Sequence, residues 1–192
     1  MPRISPRLAQ WRLVLILTAS IACLFGAGVG TAAANPLPPE GVFENCALDT
    51  QMSTCVQRLQ AMHQGGIQVV LITAWSGSLD SLSTYAQAAH SMGMSVMWEL
   101  SNPIWWQSPA SGTQIDGYVS GFATACGCTQ NGAVLDYMIS WLAQLPGTYG
   151  YYAADDSMLG PGDRDGVAAF VSRIKRDDPV HTVMIGSGDA RQ

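Results

Sequence analysis

Gly65-Gly66-Ile67-Gln68-Val69-Val70-Leu71-Ile72-Thr73-Ala74 is the stretch that decides the fold. A glycine pair breaks the segment before it, and a short apolar run comes next, rich in β-branched residues and poor in alternation. That is how a strand buried on both faces of a parallel sheet reads. The arrangement recurs along the chain. Gly93 precedes Met94–Leu100, Pro146-Gly147 precedes Tyr149–Ala154, and Asp178-Pro179 precedes Val180–Ile185. A further strand is expected at Gly41–Asn45.

Between the strands the apolar residues fall at helical spacing. Met52, Cys55, Val56, Leu59 and Met62 share one face, with Asp49 or Thr50 as expected N-cap. Leu79, Leu82, Tyr85, Ala86 and Ala89 share a second, after Ser76-Gly77-Ser78. Leu135, Met138, Ile139, Leu142 and Leu145 line a third, and Val167, Phe170, Val171 and Ile174 a fourth. The last has Asp163 and Asp165 near its start and Arg173, Lys175 and Arg176 near its end, which suits the helix dipole. Alternating strands and helices with short connections mean a parallel α/β fold.

One interval is long. The runs beginning at Ser95 and Tyr149 stand 54 residues apart. The excess lies in Asn102–Asn131, where Ile115, Tyr118, Val119 and Phe122 repeat at helical spacing before Cys126-Gly127-Cys128. An insertion placed after a strand lies on the face carrying the strands' carboxyl ends, where parallel α/β proteins keep their sites.

The chain has 192 residues, 48% hydrophobic and 12% charged, with a formal charge of −5. Disordered proteins and basic nucleic-acid binders carry many more charges, so both classes are excluded. Residues 1–34 read as a leader: Arg3, Arg7 and Arg12 precede an apolar stretch that ends in Ala32-Ala33-Ala34. A membrane anchor is the weaker reading, because Gly26, Gly28, Gly30 and the small-residue site favour cleavage. So is lipidation at Cys23, because Ser20-Ile21-Ala22 lacks the usual leucine three places before the cysteine. An exported product, without membrane attachment once the leader is removed, is expected. The other 158 residues hold six Lys+Arg against all fourteen Asp+Glu, a formal charge of −8. Such a surface fits a neutral substrate better than nucleic acid or a phosphorylated one. Residues 35–40 read as a tether and 41–192 as one domain.

Four cysteines remain, Cys46, Cys55, Cys126 and Cys128, and an even count in an oxidising compartment reads as two disulfides. Cys46–Cys55 closes a short loop easily. Cys126–Cys128 would be tight, so pairing across to residues 46 and 55 stays open. No histidine sits at ligand spacing from either pair, so no metal is expected. No phosphate-binding glycine loop comes after the first strand and no Gly-x-Ser-x-Gly elbow occurs, which argues against a nucleotide cofactor and a serine hydrolase. His63, His90 and His181 read as structural. Nothing in the sequence fixes an oligomeric state.

Chemistry concentrates at two strand ends. Tyr149-Gly150-Tyr151-Tyr152-Ala153-Ala154-Asp155-Asp156-Ser157 ends the fourth strand in adjacent carboxylates, one expected to face the sheet interior and the other the loop. Like charges this close push one pKa upward, as a general acid needs. Helix capping or turn hydrogen bonding is the plainer alternative. The third strand contains Glu99, one of three glutamates, inside an apolar run where a lone carboxylate would be expensive. It calls for a partner such as Arg58 or a backbone amide, or for a catalytic role. Asn102, Trp105, Trp106 and Gln107 come after it, and Trp75 ends the second strand. Aromatic faces with amide and carboxylate neighbours suit a sugar ring, whose C–H faces stack while its hydroxyls take polar contacts. Packing of the insertion is the competing use of the tryptophans.

With these residues together, the chain resembles the glycoside hydrolase-type (β/α)8 barrels. Bacterial members often end the fourth strand in Tyr-Tyr-x-x-Asp-Glu-Pro, a carboxylate there acting as acid/base. The matching positions are Tyr151, Tyr152, Asp155, Asp156 and Ser157. Asp156 stands for the glutamate, one methylene shorter, and Ser157 for the proline. The resemblance implies an incomplete barrel of about five strands, since a whole one takes about 250 residues. A doubly wound five-stranded parallel sheet is the alternative. It further implies hydrolysis of an O-glycosidic bond, with Asp156 as acid/base and Asp155 orienting it. Glu99 and Asn102 would line the subsite, and Trp75, Trp105, Trp106 and Tyr152 would stack on sugar rings. A second carboxylate would come from beyond residue 192. A non-catalytic carbohydrate-binding or surface protein using the same aromatic face is the other functional reading.

Overall fold

In the computed structural model, residues 39–101, 119–155 and 163–186 are described. The leader, Asn102, Trp105, Trp106 and Asp156 lie outside them. In chain order the elements are β1 (Gly41–Glu44), α1 (Leu48–Gln64), β2 (Val69–Thr73), α2 (Leu79–Ser91) and β3 (Ser95–Glu99). Next come α3 (Ser120–Cys126), α4 (Asn131–Leu142), β4 (Thr148–Ala154), α5 (Asp163–Asp177) and β5 (Thr182–Ile185). No helix among the described residues is long and apolar enough to cross a membrane.

The five strands form one parallel sheet in the order β1-β2-β3-β4-β5. Among the described residues each strand pairs only with its neighbours in sequence. A doubly wound sheet reverses its strand order at a switch point, and this one does not, so that alternative is corrected. The order is that of consecutive units in a (β/α)8 barrel, and right-handed crossovers running in one direction put the helices on one face. Gly66, Gly93 and Gly147, one ahead of each of β2, β3 and β4, take φ of +89°, +77° and +75°. Glycine is the residue that turns the chain through this left-handed region without steric cost, which is why the glycine breakers mark the strand starts.

The two faces of the sheet are unequal. The expectation of strands buried on both holds at Val69 and Met97, 6% and 5% exposed, and is corrected toward the carboxyl ends and on the edge strands. Val70, Ile72, Val96, Trp98, Tyr151 and Ala153 are fully buried in a core with Leu59, Leu82, Tyr85, Leu135, Ile139 and Ile174 from the helices. Trp98 Nε1 donates to Thr148 Oγ1 at 3.1 Å, and Thr148 Oγ1 donates to the Leu142 carbonyl at 2.8 Å, tying β3, β4 and α4. On the opposite face Leu71, Thr73, Glu99 and Tyr152 are only partly buried, and Phe43 and Met184 are 52% and 45% exposed. The large hydrophobic side chains most open to solvent among the described residues are Val42, Phe43, Val180, Met184 and Ile185. All lie on the two edge strands or just before β5.

Asp49 does not cap α1. Ala47 holds the N-cap position without a side-chain bond, and Asp49 Oδ1 instead accepts from the amide and hydroxyl of Ser78, both at 2.8 Å. Ser78 is the N-cap of α2, so Asp49 completes the neighbouring helix start. These bonds hold the Asp49 carboxyl below its ordinary value, the backbone amide contributing most. At the opposite end of the sheet, Asp178 is 4% exposed. Its Oδ2 accepts from Tyr151 Oη at 2.7 Å and lies 2.6 Å from His181 Nδ1, while its Oδ1 accepts from the Val180 and His181 amides. His181 is thus structural, fixing the start of β5.

Candidate active site at the carboxyl ends of the strands

Thr73, Glu99, Tyr152 and Met184 stand opposite one another in the ladders of β2, β3, β4 and β5. Partners in neighbouring parallel strands share a face, so the four form one row across the partly open side at its carboxyl end. Glu99 is the charged member. Thr73 Oγ1 donates to Glu99 Oε2 at 2.9 Å, and Ser101 Oγ donates to Glu99 Oε1 at 2.5 Å. Each carboxylate oxygen is held by one hydroxyl and keeps acceptor capacity for another. Thr73 and Ser101 were missed in the sequence. Their only signal was position, one in register beside Glu99 and one two residues after it.

Arg58 is not the partner of Glu99. It donates to Glu44 Oε1 at 2.8 Å, at the helix-covered end of β1. Glu44 pairs in register with Ile72, whose side chain faces the helices, so Glu44 lies across the sheet from Glu99. Nearby, burial first and the Glu44 charge second push the Tyr85 hydroxyl pKa well above its ordinary value.

Tyr152 leans over the end of the neighbouring strand. A Cβ on Gly186 would run into Tyr152 Oη, so glycine there makes room for the ring. Beyond Tyr152 the ladder slips: Tyr152 pairs with Met184 but Ala154 with Ile185, setting two β4 residues against one of β5. Ala153 and Ala154 are both fully buried. A bulge of this kind locally disrupts the alternation and re-aims the side chains beyond it. Asp155 is partly buried and engaged with other residues. Trp75 is also partly buried and packs against the core, the packing use of that tryptophan. The two disulfides expected from the four cysteines are present, and the pairing left open by the sequence is Cys46–Cys55 and Cys126–Cys128. No group of three or more His, Cys, Asp or Glu side chains among the described residues is arranged to hold a metal ion.

The row offers an anchored carboxylate, two hydroxyls and an aromatic ring at the carboxyl edge of a parallel sheet. Chemically it can take hydrogen bonds from substrate hydroxyls at Glu99 while a ring face packs on Tyr152. No protein-family profile matches the sequence, and no curated protein matches it. Among solved structures, the chain is similar to an endo-1,4-beta-mannanase from Rhizomucor miehei, with 16% identity and a TM-score of 0.48 over 78% of this chain. It is also similar to the Pseudomonas stutzeri endoglucanase Cel5A crystallised with cellobiose, with 16% identity and a TM-score of 0.40 over 67% of this chain. The chain spans 56% and 40% of those two chains.

Proposed function

We propose that this chain supplies the sugar-binding and acid/base part of an exported glycosidase acting on a neutral carbohydrate. The observation that carries the reading is Glu99, fixed by Thr73 and Ser101 beside Tyr152 at the carboxyl ends of the strands. A carboxylate whose two oxygens already accept hydroxyl protons is arranged to accept more of them. Glu99 therefore serves as a receptor for vicinal sugar hydroxyls, with Tyr152 as the stacking platform. Proton delivery to the leaving oxygen falls to Asp156, with Asp155 orienting it, and Asn102, Trp105 and Trp106 extend the subsite. Hydrolysis further requires a nucleophile or base, ordinarily a second carboxylate. Two disulfides and an excess of acidic residues agree with an exported protein that handles an uncharged polymer.

The test is saturable binding of soluble neutral oligosaccharides by calorimetry, together with release of reducing ends. Glu99→Gln is expected to weaken binding roughly 10- to 100-fold, the loss of one charge-assisted contact of about 1.5–3 kcal/mol. Asp156→Asn is expected to leave binding intact and abolish any turnover. Failure of the parent chain to bind any neutral glycan would end this reading. Saturable binding that Asp156→Asn leaves intact, with no turnover by any longer form, would establish the non-catalytic carbohydrate binder instead.

A further inference from the structure

The two disulfides differ in what they can do for the fold. Cys46 and Cys55 are 2% and 0% exposed in the core and join the segment after β1 to α1, nine residues apart. Cys126 and Cys128 are two residues apart and partly exposed, with Ala125, Gly127, Thr129 and Gln130 exposed around them. A bridge across so short a loop removes little freedom from the unfolded chain.

The backbone at this second pair is held without the bridge. Helix α3 ends at Cys126, and Gly127 takes φ +64°. The Gly127 amide donates to the Thr124 carbonyl at 3.3 Å and the Cys128 amide to the Ala123 carbonyl at 3.0 Å. These are the two bonds of a Schellman helix end. They set the two Cα atoms 5.2 Å apart, inside the range a disulfide needs. Opening the S–S bond therefore leaves two thiols side by side on a backbone already in place.

We infer that Cys126–Cys128 is a thiol–disulfide exchange site, served by small monothiols of the glutathione class, that cycles between bridge and dithiol while the fold stays intact. A donor thiolate attacks Cys126 Sγ, forming a mixed disulfide as the S–S bond breaks. Its electron pair leaves on Cys128 Sγ, which takes a proton from water. A second donor thiolate then attacks the donor sulfur of the mixed disulfide, releasing Cys126, which is protonated in turn, and the oxidised donor disulfide. Two donor thiols are oxidised and the bridge is reduced by two electrons. Position sets the direction of attack. Cys126 sits in the last turn of α3 with its Sγ against the Ala123 carbonyl, where the helix end disfavours a thiolate, whereas Cys128 lies beyond it.

The test uses the full chain equilibrated in reduced and oxidised glutathione at graded ratios, quenched, alkylated and mapped by peptide mass spectrometry, with circular dichroism in parallel. The Cys126/Cys128 peptide is expected to become doubly alkylated at a ratio at least tenfold less reducing than Cys46 and Cys55 require, with unchanged dichroism. The Cys126→Ser/Cys128→Ser variant is expected to keep the parent's urea midpoint. Opening of both pairs together with loss of dichroism, or resistance of the Cys126–Cys128 pair equal to that of Cys46–Cys55, would overturn the inference. Should the double variant not fold, the trapping result on the parent decides alone.

Discussion

Replacing Asp178 by alanine takes one acceptor from four donors at the start of β5. Tyr151 Oη is the buried donor, at 2.7 Å, and after the substitution it keeps only the Ile139 carbonyl at 3.2 Å. The other three belong to His181, whose side chain is 25% exposed, and to the amides of Val180 and His181. Val180 is 83% exposed, so these donors can turn to water. A buried hydrogen bond to a charged acceptor contributes about 1.5–3 kcal/mol, and solvated ones much less, so the expected loss is about 3 kcal/mol. For a domain of this size that lowers Tm by roughly 6–12 °C. Burial pushes the Asp178 carboxyl up, but the bonds from Tyr151, His181 and Val180 more than offset it, leaving the pKa below 3.8. A carboxylate depressed by folding stabilises the protein above its unfolded pKa and loses that contribution as pH falls through the folded one. Urea unfolding monitored by tryptophan fluorescence should show the full deficit at pH 7 and a shrinking one below about pH 4. A deficit under about 1 kcal/mol at pH 7, or one that persists undiminished at pH 2, would refute this account of the cluster.

Gly150→Ala places a Cβ against the Thr182 carbonyl and should destabilise the fold by about 2–3 kcal/mol or more. Hydrogen exchange at Thr182–Ile185 should rise first, since among the described residues β5 pairs only with β4. Ser78→Ala removes the N-cap of α2 together with one of the two bonds that Ser78 donates to Asp49. A loss of about 1 kcal/mol in urea unfolding is expected, and Asp49→Ala should cost a similar amount. Alkaline unfolding should involve Tyr151, whose hydroxyl pKa is raised above 10 first by burial and then by the Asp178 bond. A phenol raised in this way stabilises the fold below its unfolded pKa, so stability should fall above about pH 10, and Tyr151→Phe should flatten that fall.

The strands were legible because each is a short apolar run with a breaker before it. The expected Tyr149–Ala154 and observed Thr148–Ala154 differ by one residue. What the runs concealed was their two-sidedness. Leu71 and Met97 are as apolar as Val70 and Trp98, yet face the row that ends in Thr73 and Glu99. Apolar content alone cannot distinguish a face covered by helices from one that lines a sheet interior. Glu99 was found because a carboxylate in an apolar strand demands a partner. Among the described residues its partners are neither Arg58 nor a backbone amide, because strand register, not sequence distance, brings Thr73 beside it. Asp49 failed as a cap for a similar reason: its acceptor is spent on Ser78, 29 residues away. The doubly wound alternative fell only to strand order, which no local pattern encodes.

The sequential order of the sheet also bears on how the chain is made. On a ribosome, β2 emerges with β1 already available to receive it, and the same holds for β3, β4 and β5. Among the described residues each of β2 to β5 finds its preceding partner already synthesised, and each new unit adds pairings of modest sequence separation, the kind that form quickly. Translation and folding can therefore advance together along one growing edge, with β3 to β4 as the slow step because the residues 102–131 must first pass between them.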